Sequence, residues 1–275
     1  MKEKGFILVI MLALTIMLVA LTGGLLYGIS VFIHDAGWDE TDAKLLGLAE
    51  AGLHRAMWLL KTPPSAGGRG ENWVTSGVTE SLGDGTYTMV VERWDFALAS
   101  NGSTASATSS SSGNPPGNAI DGNNSTYWQS GSAPTPINPQ DLIIRFPYPI
   151  TLNKVRFLAQ SSATRPRDYQ WAVSSDGTTY TTVVSRTGNG STDVTDTFQA
   201  QKNVQYLRLR TTRPGTSGNP VRISTLEAIG SRITSEGTIT VGSQSYTRRV
   251  RQSVVADDGS PQSKVVYIQP DWTEL

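Results

Sequence analysis

Asp121-Gly122-Asn123, with Thr126 close behind, gathers oxygen donors on one short segment of the chain. A glycine-centred turn draws a carboxylate and an amide oxygen together, and hard oxygens on a tight loop suit Ca2+, which takes about 6–8 of them. The same residues also close a turn by side-chain to backbone hydrogen bonds without any ion. Two further segments hold donors for a bound ligand. Arg165, Arg167 and Asp168 sit together before one strand, and Arg213, Ser217 and Asn219 lie in a polar loop. Guanidinium forks bond hydroxyls and carboxylates, so a glycan, neutral or acidic, is the matching ligand; equally, these are solvated loop charges.

Other chemistry is largely closed. The chain has no cysteine, which excludes disulfides, thiolate nucleophiles and zinc–thiolate sites. Its two histidines, His34 and His54, both fall in the N-terminal helical stretch, so the globular part has no histidine dyad. No phosphate loop appears, and no carboxylate pair has a motif around it, so an enzyme is not expected. Lys plus Arg and Asp plus Glu number 23 each, which gives no net charge to recruit nucleic acid.

The elements that must position these residues are short strands. Between Phe96 and Gly230, Leu142 to Phe146, Lys154 to Ala159, Tyr169 to Ser174, Thr178 to Val184, Val204 to Arg210 and Thr225 to Ile229 predict strands. Pro147-Tyr148-Pro149 reads as a bend, and Ser175-Asp176-Gly177 as a hairpin turn. The set suits an antiparallel sandwich, with Trp128, Tyr169, Trp171, Tyr180 and Tyr206 in its core. Pieces of another sheet flank it. Thr86 to Trp94 follows a Gly83-Asp84-Gly85 turn, and Gly237 to Val241 pairs with Tyr246 to Val255 around Gly242-Ser243. Arg248, Arg249 and Arg251 on the latter strand read as a solvated edge. With about 135 residues between the flanking pieces, a complete domain inserted into an exposed connection is the economical arrangement.

Ahead of both lies Met1-Lys2-Glu3-Lys4-Gly5, then an uncharged run from Phe6 to Ile33. As a helix that run spans about 40 Å, more than the ~30 Å hydrocarbon core. It is too long for a cleavable secretory signal and has no A-x-A-like site. Lysines before it, with Asp35, Asp39, Glu40 and Asp42 after it, favour a cytoplasmic N-terminus. Leu45, Leu46, Leu48, Leu53, Met57 and Leu60 continue an apolar stripe at helical spacing until Pro63-Pro64. One helix with an embedded half and an amphipathic half is therefore expected.

Lys4-Gly5-Phe6, the apolar run and Ala49-Glu50-Ala51-Gly52-Leu53 resemble type IV pilins of the PilX-like minor group. The resemblance implies a leader, 1–5, cut by prepilin peptidase between Gly5 and Phe6, and an N-methylated Phe6. It also implies a helix and first part of a pilin head over 6–95 (6–33 transmembrane), with the second part of the head at 231–275. Ile10 stands where major pilins carry a glutamate, as in tip-located minor pilins and K-type pseudopilins.

Asn118-Ala119-Ile120-Asp121-Gly122-Asn123-Asn124-Ser125-Thr126-Tyr127-Trp128 resembles the signature of discoidin (coagulation factor 5/8 C-type) domains. Asp141-Leu142, Ile150 to Val155, Ser174 to Gly177 with Tyr180, Tyr206 to Leu209 and Leu226-Glu227-Ala228 match in order across 96–230. An eight-stranded jelly roll with adjacent termini follows from it. In bacterial carbohydrate-binding relatives the signature loop and a late glutamate hold a structural calcium. Carried over, the ligands are Asp121, Asn123, Thr126 and Glu227, with carbonyls near Ala119 and Ala228.

The expected fold is α+β pilin-like, a long N-terminal helix plus antiparallel sheet, with an inserted all-β discoidin-like jelly-roll sandwich. The expected function is a minor pilin-like subunit displaying a glycan- or surface-binding module for adhesion. Its expected partners are other pilins, prepilin peptidase, the bacterial inner membrane before assembly and a glycan, with no nucleic acid. A pseudopilin of a type II secretion-like machine and a signal-anchored surface lectin are the alternatives.

Overall fold

The computed structural model describes residues 2–257, 265–268 and 273–274, with side chains described over 17–27 and 40–255. Helix α1 (Lys2–Lys61) runs until the Pro63-Pro64 step, where an extended Pro63 precedes a short 3-10 turn. Much of the run 6–33, with Gly5, Phe6 and Ile10, lies outside the described side chains. Among the described residues no helix is long and apolar enough to cross a membrane. Within 17–27, Met17, Leu18, Leu21, Leu25 and Leu26 are 61–67% exposed, so no other part of this chain covers them.

The second half of α1 is buried on one face. Ala49, Leu53, Ala56 and Leu60 recur at helical spacing and pack on Tyr87, Met89 and Val91, which alternate along one strand. The sheet beneath comprises β1 (Thr75–Leu82), β2 (Gly85–Asp95), the later half of β9 (Arg222–Val241), β10 (Gln244–Asp257), β11 (Val265–Ile268) and β12 (Thr273–Glu274). Two glycines set the separation of helix and sheet. A Cβ on Gly52 would fall on Ser235 and the Tyr87 ring, and one on Gly237 would fall on the Leu45 carbonyl. Ala-Glu-Ala-Gly-Leu is thus a close-approach stripe, with Ala49 and Gly52 facing the sheet and Glu50 exposed.

The sheet differs from expectation in its strands, which include β1, β11 and β12, and in the place of β10. Strand β1 carries only two apolar residues in eight and is an edge, so its solvent-facing pattern hides it. Strand β10 is no edge where the arginines sit. It lies between β9 and β12, with Arg249 paired to the opposing Glu236 and Arg248 to Asp42 of the helix.

The inserted sandwich is built from β3 (Thr104–Ala107), β4 (Trp128–Gln129), β5 (Gln140–Ala159), β6 (Pro166–Ser174), β7 (Thr181–Arg186), β8 (Asp193–Pro214) and the first half of β9. Pro147-Tyr148-Pro149 does not end a strand. It lies where β5 bends, with register shifts between Arg145 and Lys154. Residues 142–145 of β5 pair with β3 and 140–145 with 206–211 of β8, while 155–158 pair with 193–196 of β8 and with β9. Both long strands therefore serve both layers, and the core of Trp128, Leu142, Phe157, Trp171 and Leu207 fills the space between.

Strand β9 joins the two units. Ala228 pairs with Val155 of the insert, and the next residue, Ile229, pairs with Asp95 of β2. The chain leaves the first sheet at Asp95 and re-enters it beside the same residue.

Candidate ligand-binding site

The signature loop closes on itself. Asp121 Oδ1 accepts the Asn123 N–H at 2.8 Å, and its Oδ2 accepts the Thr126 hydroxyl at 2.6 Å. Asn123 Oδ1 accepts the Ser125 N–H at 3.0 Å. These are Asx-type bonds, the ion-free way to hold such a turn. Thr225 of β9 reaches the loop by donating to Asn124 Oδ1 at 2.6 Å.

The remaining residues of the expected calcium set are engaged elsewhere. Glu227 accepts from Arg156 Nη1 at 2.9 Å and also binds Arg93, while Arg156 holds Asp193 through two nitrogens. The Ala228 carbonyl accepts the Phe96 N–H at 2.8 Å. Ala119 is buried beside the loop. The donors brought together thus include one carboxylate, Asp121, and among the described residues no three His, Cys, Asp or Glu side chains are placed to share an ion. Calcium affinity rises with ligand charge count, and with Glu227 paired to arginines this arrangement offers an ion one carboxylate. We expect the melting temperature of the chain to be the same in calcium and in chelator. A rise that Asp121→Ala abolishes would restore the metal.

The arginine segments gather at the far end of the sandwich, about 25 Å along β9 from the junction. Arg165 is a brace there. Its Nε donates to the Asn189 carbonyl at 2.9 Å, its guanidinium also holds Ser162, and its own carbonyl accepts the Gly215 N–H at 2.8 Å. Asp168 Oδ1 accepts the Gly188 N–H at 2.8 Å, and its Oδ2 lies 3.8 Å from Arg213 Nε. Asn219 closes a turn onto Thr216. Arg167 and Arg213 stay exposed on the surface. The structure therefore groups these residues but gives Arg165 and Asp168 structural work. Trp128, Tyr169 and Trp171 are core, at 0–2% exposure, which leaves them no face for a sugar.

One residue that governs the junction went unseen in the sequence. Asp95 Oδ1 accepts the N–H groups of both Ala97 and Ala228 at 2.9 Å, clasping the outgoing and returning chains. The signal for it was local: an Asp two residues before the N–H it caps. Burial lifts its carboxyl from the usual 3.8 to about 6. The folded chain therefore holds an extra proton between these values. The corresponding stability is complete below about pH 4 and lost as pH rises through about 6. Asp95→Asn keeps Oδ1 for both bonds and removes the buried charge. Its denaturation midpoint should be flat across that window, with stability at pH 7 raised by about 1–2 kcal/mol. An unchanged pH slope would assign the dependence to another group.

No curated protein matches the chain. Among solved structures it is similar to chitosan-binding module 1 of a chitosanase/glucanase from Paenibacillus sp. IK-5, at 28% identity over 50% of this chain and 98% of that one (TM-score 0.43). It is also similar to a module from Clostridium perfringens in complex with GalNAc-β-1,3-galactose, at 22% identity over 50% and 99% (TM-score 0.42). Residues 103–226, the body of the inserted sandwich, match the F5/8 type C domain family.

Proposed function

We propose that the chain is a minor pilin-like subunit of a type IV pilus that carries a discoidin-like glycan- or surface-binding module for adhesion. The observation that carries this reading is the mode of insertion. The whole module branches from one pair of opposed residues, Asp95 and Ile229, and leaves the helix and its sheet as an intact unit. Such a unit can pack among like subunits while the module projects outward. The exposed apolar stretch 17–27, Lys4-Gly5-Phe6 and the Ala49–Leu53 stripe support the pilin half. The F5/8 type C match over 103–226 supports the module half.

In this reading α1 holds the precursor in the bacterial inner membrane, N-terminus in the cytoplasm. Prepilin peptidase removes residues 1–5, Phe6 is N-methylated, and other pilins then pack along the helix. The 96–230 insert meets a glycan outside the cell. Ile10, which supplies no carboxylate for a neighbouring N-terminus, favours a tip position, and it also suits a pseudopilin of a secretion machine.

The test is the mature N-terminus of the full chain made in a host with prepilin peptidase. N-methyl-Phe6 is expected at the start, and Gly5→Glu should leave the chain unprocessed. An intact Met1 in the parent would discard both pilin readings in favour of a signal-anchored lectin.

A further inference from the structure

The insertion creates a surface that neither unit has alone. Between the loop 71–74 of the helix-and-sheet unit and strands β5 and β8 of the sandwich lies an open cleft of ≈ 510 Å³. That is within the ~300–1,000 Å³ of small-ligand pockets. One wall is Trp73, half-buried, with part of its indole packed against the helix–sheet core. The lining also includes Lys154 and the buried Asn153 of β5, the exposed Thr195 and Thr197 of β8, and Arg93.

The charges here are matched. Lys154 Nζ pairs with Glu71 and donates to Asn72 Oδ1 at 3.2 Å, which ties the sandwich to the loop. Arg93 pairs with Glu227, which also pairs with Arg156, and Arg156 with Asp193. Each cation has an anion, so the cleft holds no unmatched charge to draw an ionic ligand. What it offers is an indole beside hydroxyl, amide, ammonium and carboxylate groups. A sugar ring fits that set, because its C–H face packs on an aromatic and its hydroxyls bond charged groups more strongly than neutral ones.

We propose that this junction cleft binds a neutral saccharide of one or two rings. The inference rests on the glycan-binding reading above and adds its location: the site is made jointly by the helix-and-sheet unit and the insert, away from the arginine loops at the far end.

The test uses the full-length chain in detergent micelles, titrated by calorimetry with lactose, chitobiose and mannobiose. At least one should bind. Trp73→Ala should weaken that binding by ~10-fold or more. Thr197→Arg fills the cleft from an exposed strand position, leaves the Trp73 packing alone and should weaken binding to a similar degree. If binding survives both changes but is lost in the Arg167→Ala/Arg213→Ala double variant, the cleft is overturned while the glycan reading stands. If none of the three sugars binds the parent chain, the cleft and the neutral-glycan reading fall together.

Discussion

Asp196→Ala should unfold the inserted sandwich more readily than any other single polar substitution in it, at a cost of about 2–5 kcal/mol, since it leaves two buried donors unpaired at about 1–3 kcal/mol each. Asp196 is wholly buried, and three donors converge on it. Oδ2 accepts the Tyr169 hydroxyl at 2.7 Å and the Trp171 indole N–H at 3.0 Å, and Oδ1 accepts Arg186 Nε at 3.0 Å. Tyr169 and Trp171 point the same way from β6 and pack on Phe157, with the Tyr169 ring edge-on at 5.2 Å between centroids. Two large aromatics can fill a core only if their polar tips find an acceptor, and one carboxylate serves both. Burial and the neighbouring carboxylate push the Tyr169 hydroxyl far above its ordinary value, so it stays a donor at every pH of interest. Alanine strands both donors in an apolar interior and leaves a cavity, whereas Asp196→Asn keeps only one acceptor oxygen for three donors. Denaturant unfolding followed by near-ultraviolet circular dichroism would read both variants. We expect asparagine to fall between alanine and the parent. An alanine variant within about 1 kcal/mol of the parent would show that water replaces the carboxylate there.

The parts of the fold legible in the sequence were those whose signals are local. The Asn118–Trp128 signature, the Gly242-Ser243 turn and the apolar alternation of β2 each sit within a dozen residues. The illegible parts depend on partners far away in the chain. Strand β1 is recognisable only by the β2 edge it covers, because its own residues are mostly polar. The unbroken run of β9 through both units cannot be inferred from Ser231 to Glu236, where the apolar residue Ile233 stands alone. Glu227 shows the same limit for the site. The resemblance places it beside the signature loop, but along β9 it is Thr225 that reaches the loop, while Glu227, two residues on along the same face, pairs with Arg93 and Arg156, 134 and 71 positions away. The carboxylate was visible, and its partners were not.

Gly237→Val is the change expected to separate the helix from its sheet. A Cβ at 237 would lie 2.4 Å from the Leu45 carbonyl oxygen and 2.9 Å from both the Ala49 nitrogen and the Leu48 Cβ. Two of those three neighbours are helix backbone, which cannot rotate away as a side-chain tip would. Relief requires α1 to move as a body, and Gly52 two turns along, itself tight against Ser235 and Tyr87, resists that. Overpacking of this kind costs about 1–3 kcal/mol where side chains yield, and more where backbone must shift. We therefore expect a loss of at least ~3 kcal/mol, borne by the helix–sheet unit. The insert has its own core and should keep its near-ultraviolet signal. Limited proteolysis should then cut the variant in loop 62–74 while the sandwich stays resistant. Gly237→Ala is the graded control, since it places one methyl in the same clash. If valine leaves the loop as resistant as in the parent, the helix is held by Leu53, Ala56 and Leu60 alone, and the close approach at Gly237 is incidental to its docking.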